Sequence, residues 1–212
     1  MRSMALLHRA ELHPTKLELL AAWLPGCDWY QGPAGEVVRV AGYRFDDPEG
    51  EVGIETILVR AGTGPVHQVP LTYRGAPLDG GDGWLVGTTD HSVLGRRWVY
   101  DACGDPVYVA ALASAILADT GQATEYVEVD GQLTARAPTM EIVSTGTRDA
   151  GLPEIGALLG VLVGDPTLIE TDLADLAVLR RLDVGEQRPG LRLTGTWAGQ
   201  PEPLPLAYAA PR

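Results

Sequence analysis

Asp105-Pro106 opens the segment that most constrains what this chain can fold into. An aspartate stands where an N-cap belongs, and a proline takes the first helical position, where its missing N–H costs nothing. The pair starts a helix predicted over 105–119. Tyr108, Ala111, Leu112, Ala115 and Ile116 then recur at helical spacing on one face, and Gly121 closes the segment. A second helix is predicted over 15–24. Thr15 and Glu18 there form a capping box, and Pro25-Gly26 ends it. An apolar helix face needs a surface to cover it.

The residues between the helices supply such a surface. Strand-like runs at 36–45, 51–60, 65–74, 84–89 and 96–100 are separated by turn residues such as Asp46-Asp47-Pro48-Glu49-Gly50 and the glycine-rich stretch from Pro77 to Gly83. Pro70 predicts that 65–74 is an edge strand or carries a bulge. Beyond Gly121, strands are predicted at 124–129, 132–136, 139–145, 191–197 and 204–208. The stretch 152–182 reads as either helix or strand. The expected fold is therefore α+β. An antiparallel sheet packed against a long helix fills residues 1–121, and a mostly β subdomain follows over 122–212.

Charge excludes several function classes. Sixteen Lys and Arg stand against 28 Asp and Glu, a formal net charge of −12. Residues 1–121 and 122–212 each sum to −6, so the acidity is not a tail. Nucleic acid and anionic membrane surfaces both need a basic face, and neither is expected as a partner. Lys16 is the only lysine, and the other fifteen basic residues are arginines. No run approaches the apolar length of a spanning helix, and the apolar start at Met1–Leu7, cut by His8 and Arg9, is too short for a signal segment. A soluble, cytoplasmic chain is expected, with Cys27 and Cys103 reduced.

Motifs for chemistry are few. The histidines His8, His13, His67 and His91 show no metal-binding spacing, so no metal and no cofactor are expected. Asp90-His91-Ser92 holds the three residue types of a hydrolase triad, but adjacency does not make side chains converge. Cys103 precedes a helix start, which can activate a thiol, although a buried structural thiol explains it as well. No phosphate loop is present, and Lys16 follows no glycine-rich turn. The remaining candidate is the strand at 96–100. Alternation puts Arg96, Trp98 and Tyr100 on one side and Arg97 on the other, with His91 nearby. These five can form an aromatic and guanidinium site for a sugar or a carboxylate. Alternatively, Trp98 anchors the strand beneath helix 106–119, and the arginines pair with Asp90 or Asp101.

The same residues carry a resemblance. Tyr43-Arg44-Phe45-Asp46-Asp47-Pro48, the run from Gln68 to Leu78, His91 to Asp101, and Gly104-Asp105-Pro106-Val107-Tyr108 resemble the N-terminal cap of actinobacterial maltokinases. The stretch beginning at Met4 belongs to the likeness. With Leu193 to Gln200 it is most similar to stand-alone cap-like proteins that lack the kinase lobes. The resemblance implies a cystatin-like cap and no catalytic residue, because a two-lobed kinase needs a much longer chain and a lysine in its nucleotide lobe. The expected function is that of a non-catalytic cap-like protein. It would act through a protein partner or self-association, in or near glucan, maltose or trehalose metabolism. A small sugar-binding protein and an enzyme of unrecognised type are the alternatives.

Overall fold

The computed structural model describes residues 4–7, 11–129, 132–183 and 187–212. His8 and Arg9 lie outside the described residues. The strands are β1 (Met4–Leu7), β2 (Leu12–His13), β3 (Val37–Phe45), β4 (Gly53–Ala61), β5 (His67–Arg74), β6 (Leu85–His91), β7 (Gly95–Asp101), β8 (Thr124–Val129), β9 (Gln132–Ala135), β10 (Met140–Ser144), β11 (Leu158–Leu162), β12 (Thr167–Thr171), β13 (Ala174–Val178), β14 (Leu191–Trp197) and β15 (Gln200–Pro211). Among the described residues the α-helices are two, α1 (Lys16–Trp23) and α2 (Pro106–Leu117). One six-stranded antiparallel sheet runs β2-β6-β7-β5-β4-β3, and a second runs β10-β14-β15-β13-β12-β11. A third sheet joins β1 to β8 in parallel and β8 to β9.

This architecture overturns the α+β expectation. The chain is mostly β, and its longest helix has only 12 residues. That helix does not roof the first sheet as a cystatin-like cap would require. Instead α2 is enclosed, with Tyr108, Val109, Leu112, Ala113, Ala115 and Ile116 all buried. It packs on β14, β15 and β10 of the second sheet as well as on β3 of the first. The segment Pro106–Ala118 contains no charged residue, and even the face outside the core, with Val107, Ala110, Ala111, Ser114 and Leu117, is half-buried. The larger core accordingly runs from Ala41 through α2 to Ala209, across the boundary expected near residue 121. A second core lies on the opposite face of the first sheet, where Leu20, Leu24 and Trp29 cover Ile57, Val59, Val69 and Val99. The stretch 152–182 holds β11, β12 and β13 and no helix: in β12, β-branched Thr167, Ile169 and Thr171 alternate inward with outward Leu168 and Glu170.

Pro70 lies on neither an edge nor a bulge. β5 is interior to its sheet, yet its flank away from β4 has two successive partners. The amide of Gln68 donates to the Arg180 carbonyl at 2.7 Å and that of Leu182 to the Val66 carbonyl at 3.0 Å. Pairing with β7 begins only at Leu71. Alternation turns the nitrogen of Pro70 toward the gap between these partners, where no donor is needed.

Both predicted caps form. Thr15 and Glu18 make the capping box of α1, and the Asp105 carboxylate accepts from the Val107 amide at 3.0 Å. Asp105 does more than cap. It is fully buried and takes two bonds of 2.7 Å from Arg74 and one of 2.8 Å from the Thr72 hydroxyl. A lost cap alone costs about 0.5–2 kcal/mol, whereas breaking a buried ion pair costs about 3–5 kcal/mol. Asp105→Ala is therefore expected in the upper range by urea denaturation, with Asp105→Asn between it and wild type. A loss confined to the capping range would show that Arg74 contributes nothing.

Candidate functional site

The side chains singled out on β7 alternate as expected, which sets Arg97 on the face opposite Arg96, Trp98 and Tyr100. Arg96 is exposed and reaches Asp90 at 3.6 Å. Arg97 donates to the Leu94 carbonyl at 3.0 Å. Tyr100 is buried, its hydroxyl accepting from the Leu78 amide at 2.9 Å. Trp98 is half-buried beside Arg74 and Thr88 and belongs to neither core, so it does not anchor α2. The indole near that helix is Trp84, packed so closely on Gly104 that a Cβ there would meet it at 2.2 Å.

The triad reading of Asp90-His91-Ser92 fails on geometry. Nδ1 of His91 accepts from the amides of Val93 and Leu94 at 3.2 and 3.1 Å, so that nitrogen carries no proton for Asp90. Ser92 accepts from the Glu11 amide instead. Both cysteines are free. Burial pushes the Cys103 thiol far up and that of Cys27 to about 12, opposite to activation. Asp101 serves a buried arginine rather than Arg96 or Arg97. Arg180 is fully buried and donates to the Asp101 carboxylate at 2.7 and 3.0 Å and to Thr167 at 2.8 Å. Its guanidinium lies 4.6 Å from the centre of the Trp29 ring. No motif around Leu179-Arg180-Arg181 announces this role, because its partners come from residues 29, 101 and 167.

Two further features of the described residues stand out. The first is a charge cluster at the end of the face that α1 covers. Glu55 on β4 is 2% exposed, and four groups converge on it: Lys16, Arg39 at 2.9 Å, Arg44 at 3.1 Å and the Tyr73 hydroxyl at 3.2 Å. Burial raises the pKa of Glu55, but the charges of Lys16, Arg44 and Arg39 outweigh it and hold the carboxyl well below the usual range. Lys16 goes the other way, lowered first by burial and then by the neighbouring arginines against the pull of Glu55.

The second feature is β11, the end strand of the second sheet. From Gly156 to Gly164 the sequence carries no charge, and Leu159 and Leu162 are 56% and 68% exposed. An open groove of about 680 Å³ lies beside it, walled by Leu162, Leu168, Glu170, Asp175, Arg188 and Arg212. Natural edge strands are usually shielded by charge, proline or a covering segment. β11 carries no charge and no proline, and among the described residues no strand pairs with its outer side. No helix is long and apolar enough to cross a membrane, and no group of side chains suited to a metal occurs among the described residues.

Comparison with known proteins bears on the first sheet. Residues 23–105 match the family described as the maltokinase N-terminal cap domain. No curated protein sequence matches the chain. The matched span takes in β3 to β7, with Arg39, Arg44, Glu55 and Tyr73, and ends at Asp105. Lys16, α2 and the whole second sheet lie outside it.

The buried ionisable groups predict how stability responds to acid. His67 is fully buried against Tyr30 and Trp29, and burial lowers its pKa from 6.5. The folded chain thus prefers neutral His67, so stability is full above that value and falls as pH drops below it. Glu55 contributes stability that is full above 4.5 and falls as pH drops further. The melting midpoint should decline in these two successive windows. His67→Gln should abolish the upper decline and leave the lower one. An unchanged upper decline in that variant would contradict the assignment.

Proposed function

Taking residues 23–105 as a maltokinase-type cap domain, we propose that the chain is a non-catalytic, cytoplasmic cap-like protein that works through protein contacts in or near glucan, maltose or trehalose metabolism. The observation that carries this reading is the uncharged edge of β11, unpaired among the described residues, with its exposed Leu159 and Leu162. An unpaired strand edge offers a row of backbone donors and acceptors, and an added strand binds by completing that ladder. The occupant proposed is a neutral, apolar strand of a partner protein. Two copies of this chain would each bring a net charge of −12, which disfavours self-pairing.

The absence of catalysis rests on what the candidate groups already do. Ser92, His91 and Asp90 are engaged in local turns and pairs, the thiols are raised by burial, and the single lysine is held on Glu55. Sugar binding by His91, Arg96, Arg97, Trp98 and Tyr100 has less support, since Tyr100 is buried and Arg97 lies on the opposite face.

The test compares wild type with Leu159→Lys/Leu162→Lys, a variant that puts charge on exposed positions of β11. Affinity capture from the native host should retain a protein of glucan, maltose or trehalose metabolism on the wild type and lose it on the variant. Purified wild type should form no sugar phosphate from ATP, magnesium and maltose. Equal capture by both proteins, or dimerisation in place of capture, would overturn the edge as a partner site.

A further inference from the structure

The cluster on Glu55 holds more positive charge than its structural role needs. Alternation along β3 would place residues 39 and 44 on opposite faces of the sheet. The register shift between Arg39 and Ala41 removes that conflict. Arg39 then lies opposite Val59 and Arg44 opposite Glu55, all on the face that α1 covers. A bulge of this kind re-aims side chains at the cost of ladder bonds. Gly42 completes the arrangement, because a Cβ there would come within 2.5 Å of the Arg39 guanidinium. Lys16, the first residue of α1, enters from the other side, its ammonium 4.8 Å from the centre of the Tyr73 ring.

One cation suffices to neutralise one carboxylate, and further cations at this distance repel one another. Arg44 is shared, with Nε also 3.6 Å from Glu125, itself near Arg136, and it feels the charge of Asp46. Lys16 and Arg39 both direct their charge at Glu55, which balances only one of them. They are also the members of the trio around Glu55 that reach solvent most, at 23% and 33%. A local positive excess in a chain of net charge −12 is a place where an anion gains twice, by pairing and by relieving repulsion. An ammonium beside a guanidinium fork suits a tetrahedral oxyanion. We propose that Lys16 and Arg39 bind a small oxyanion of the phosphate type above Glu55, at the open end of the face that α1 covers. Its residues come from positions 16, 39 and 55, so no contiguous phosphate motif announces it.

The test titrates wild type with inorganic phosphate and with a hexose phosphate, against chloride at equal ionic strength. Either ligand should raise the melting midpoint saturably, and the stronger response tells whether free phosphate or a phosphorylated sugar is preferred. Because the chain has one lysine, an amine-reactive reagent followed by peptide mapping reads the site directly, and ligand should slow Lys16 labelling several-fold. Arg39→Gln removes a partly exposed cation and should abolish both effects while the circular dichroism spectrum is kept. Glu55→Gln removes the competing carboxylate, and where it folds it should bind phosphate more tightly than wild type. A response no greater than that to chloride, or one that persists in Arg39→Gln, would overturn the site.

Discussion

A guanidinium sealed away from water is the constraint on which the rest of this structure depends. Arg180 is tolerable inside the protein only while Asp101, Thr167 and the face of Trp29 are all in place around it. Asp101 is the last residue of β7 in the first sheet, Thr167 starts β12 of the second, and Trp29 belongs to the core beneath α1. One side chain thus fixes three elements relative to one another. Beside it, the buried Gln68 amide donates to the carbonyls of Leu179 and Leu206 at 2.9 Å each and accepts from Tyr43 at 3.4 Å. The backbone of 66–68 is bonded to 180–182 over the same stretch. The two six-stranded sheets are therefore joined by a polar seam, and α2 fills the apolar space between them.

Buried carboxylates draw part of the chain's positive charge inward. Arg180, Arg74, Arg44 and Arg39 are tied to Asp101, Asp105 and Glu55, each of which is almost wholly buried. Of these pairs only Arg180–Asp101 joins the two sheets, and desolvation offsets most of the attraction within each. The two places proposed to meet other molecules lie elsewhere. One is the uncharged β11 edge on the far side of the second sheet, and the other is the Lys16–Arg39 end of the first. Neither lies on β7, where the aromatic and arginine residues of the sequence are most conspicuous.

Local features were legible in the sequence because local rules govern them. The capping box at Thr15 and Glu18, the Asp105 cap with Pro106 behind it, and the alternation of Arg96, Trp98 and Tyr100 each depend on residues a few positions apart. The match of residues 23–105 to a cap domain agrees with the resemblance carried by the tracts at 43–48, 68–78 and 91–101. What misled was the assumption that the longest apolar segment roofs the nearest sheet. The absence of charge across Pro106–Ala118 was the available sign that α2 is enclosed by both sheets. Pro70 misled for a related reason, since the change of partner along β5 depends on residues 180–182, far away in sequence. The Glu55 cluster and the Arg180 pocket had no legible signal. Their members are scattered, and the bulge that brings Arg39 and Arg44 to one face is a property of strand pairing.

The polar seam makes the two sheets one cooperative unit. Native-state hydrogen exchange on Arg180→Met reads this directly, with the amides of β4 and β5 reporting on one sheet and those of β13 and β15 on the other. The variant leaves the Asp101 carboxylate buried without its cation, which costs about 3–5 kcal/mol. The predicted result is that protection falls by the same amount in both sheets, because each depends on the seam. A loss confined to the second sheet, with β4 and β5 as protected as in wild type, would contradict it.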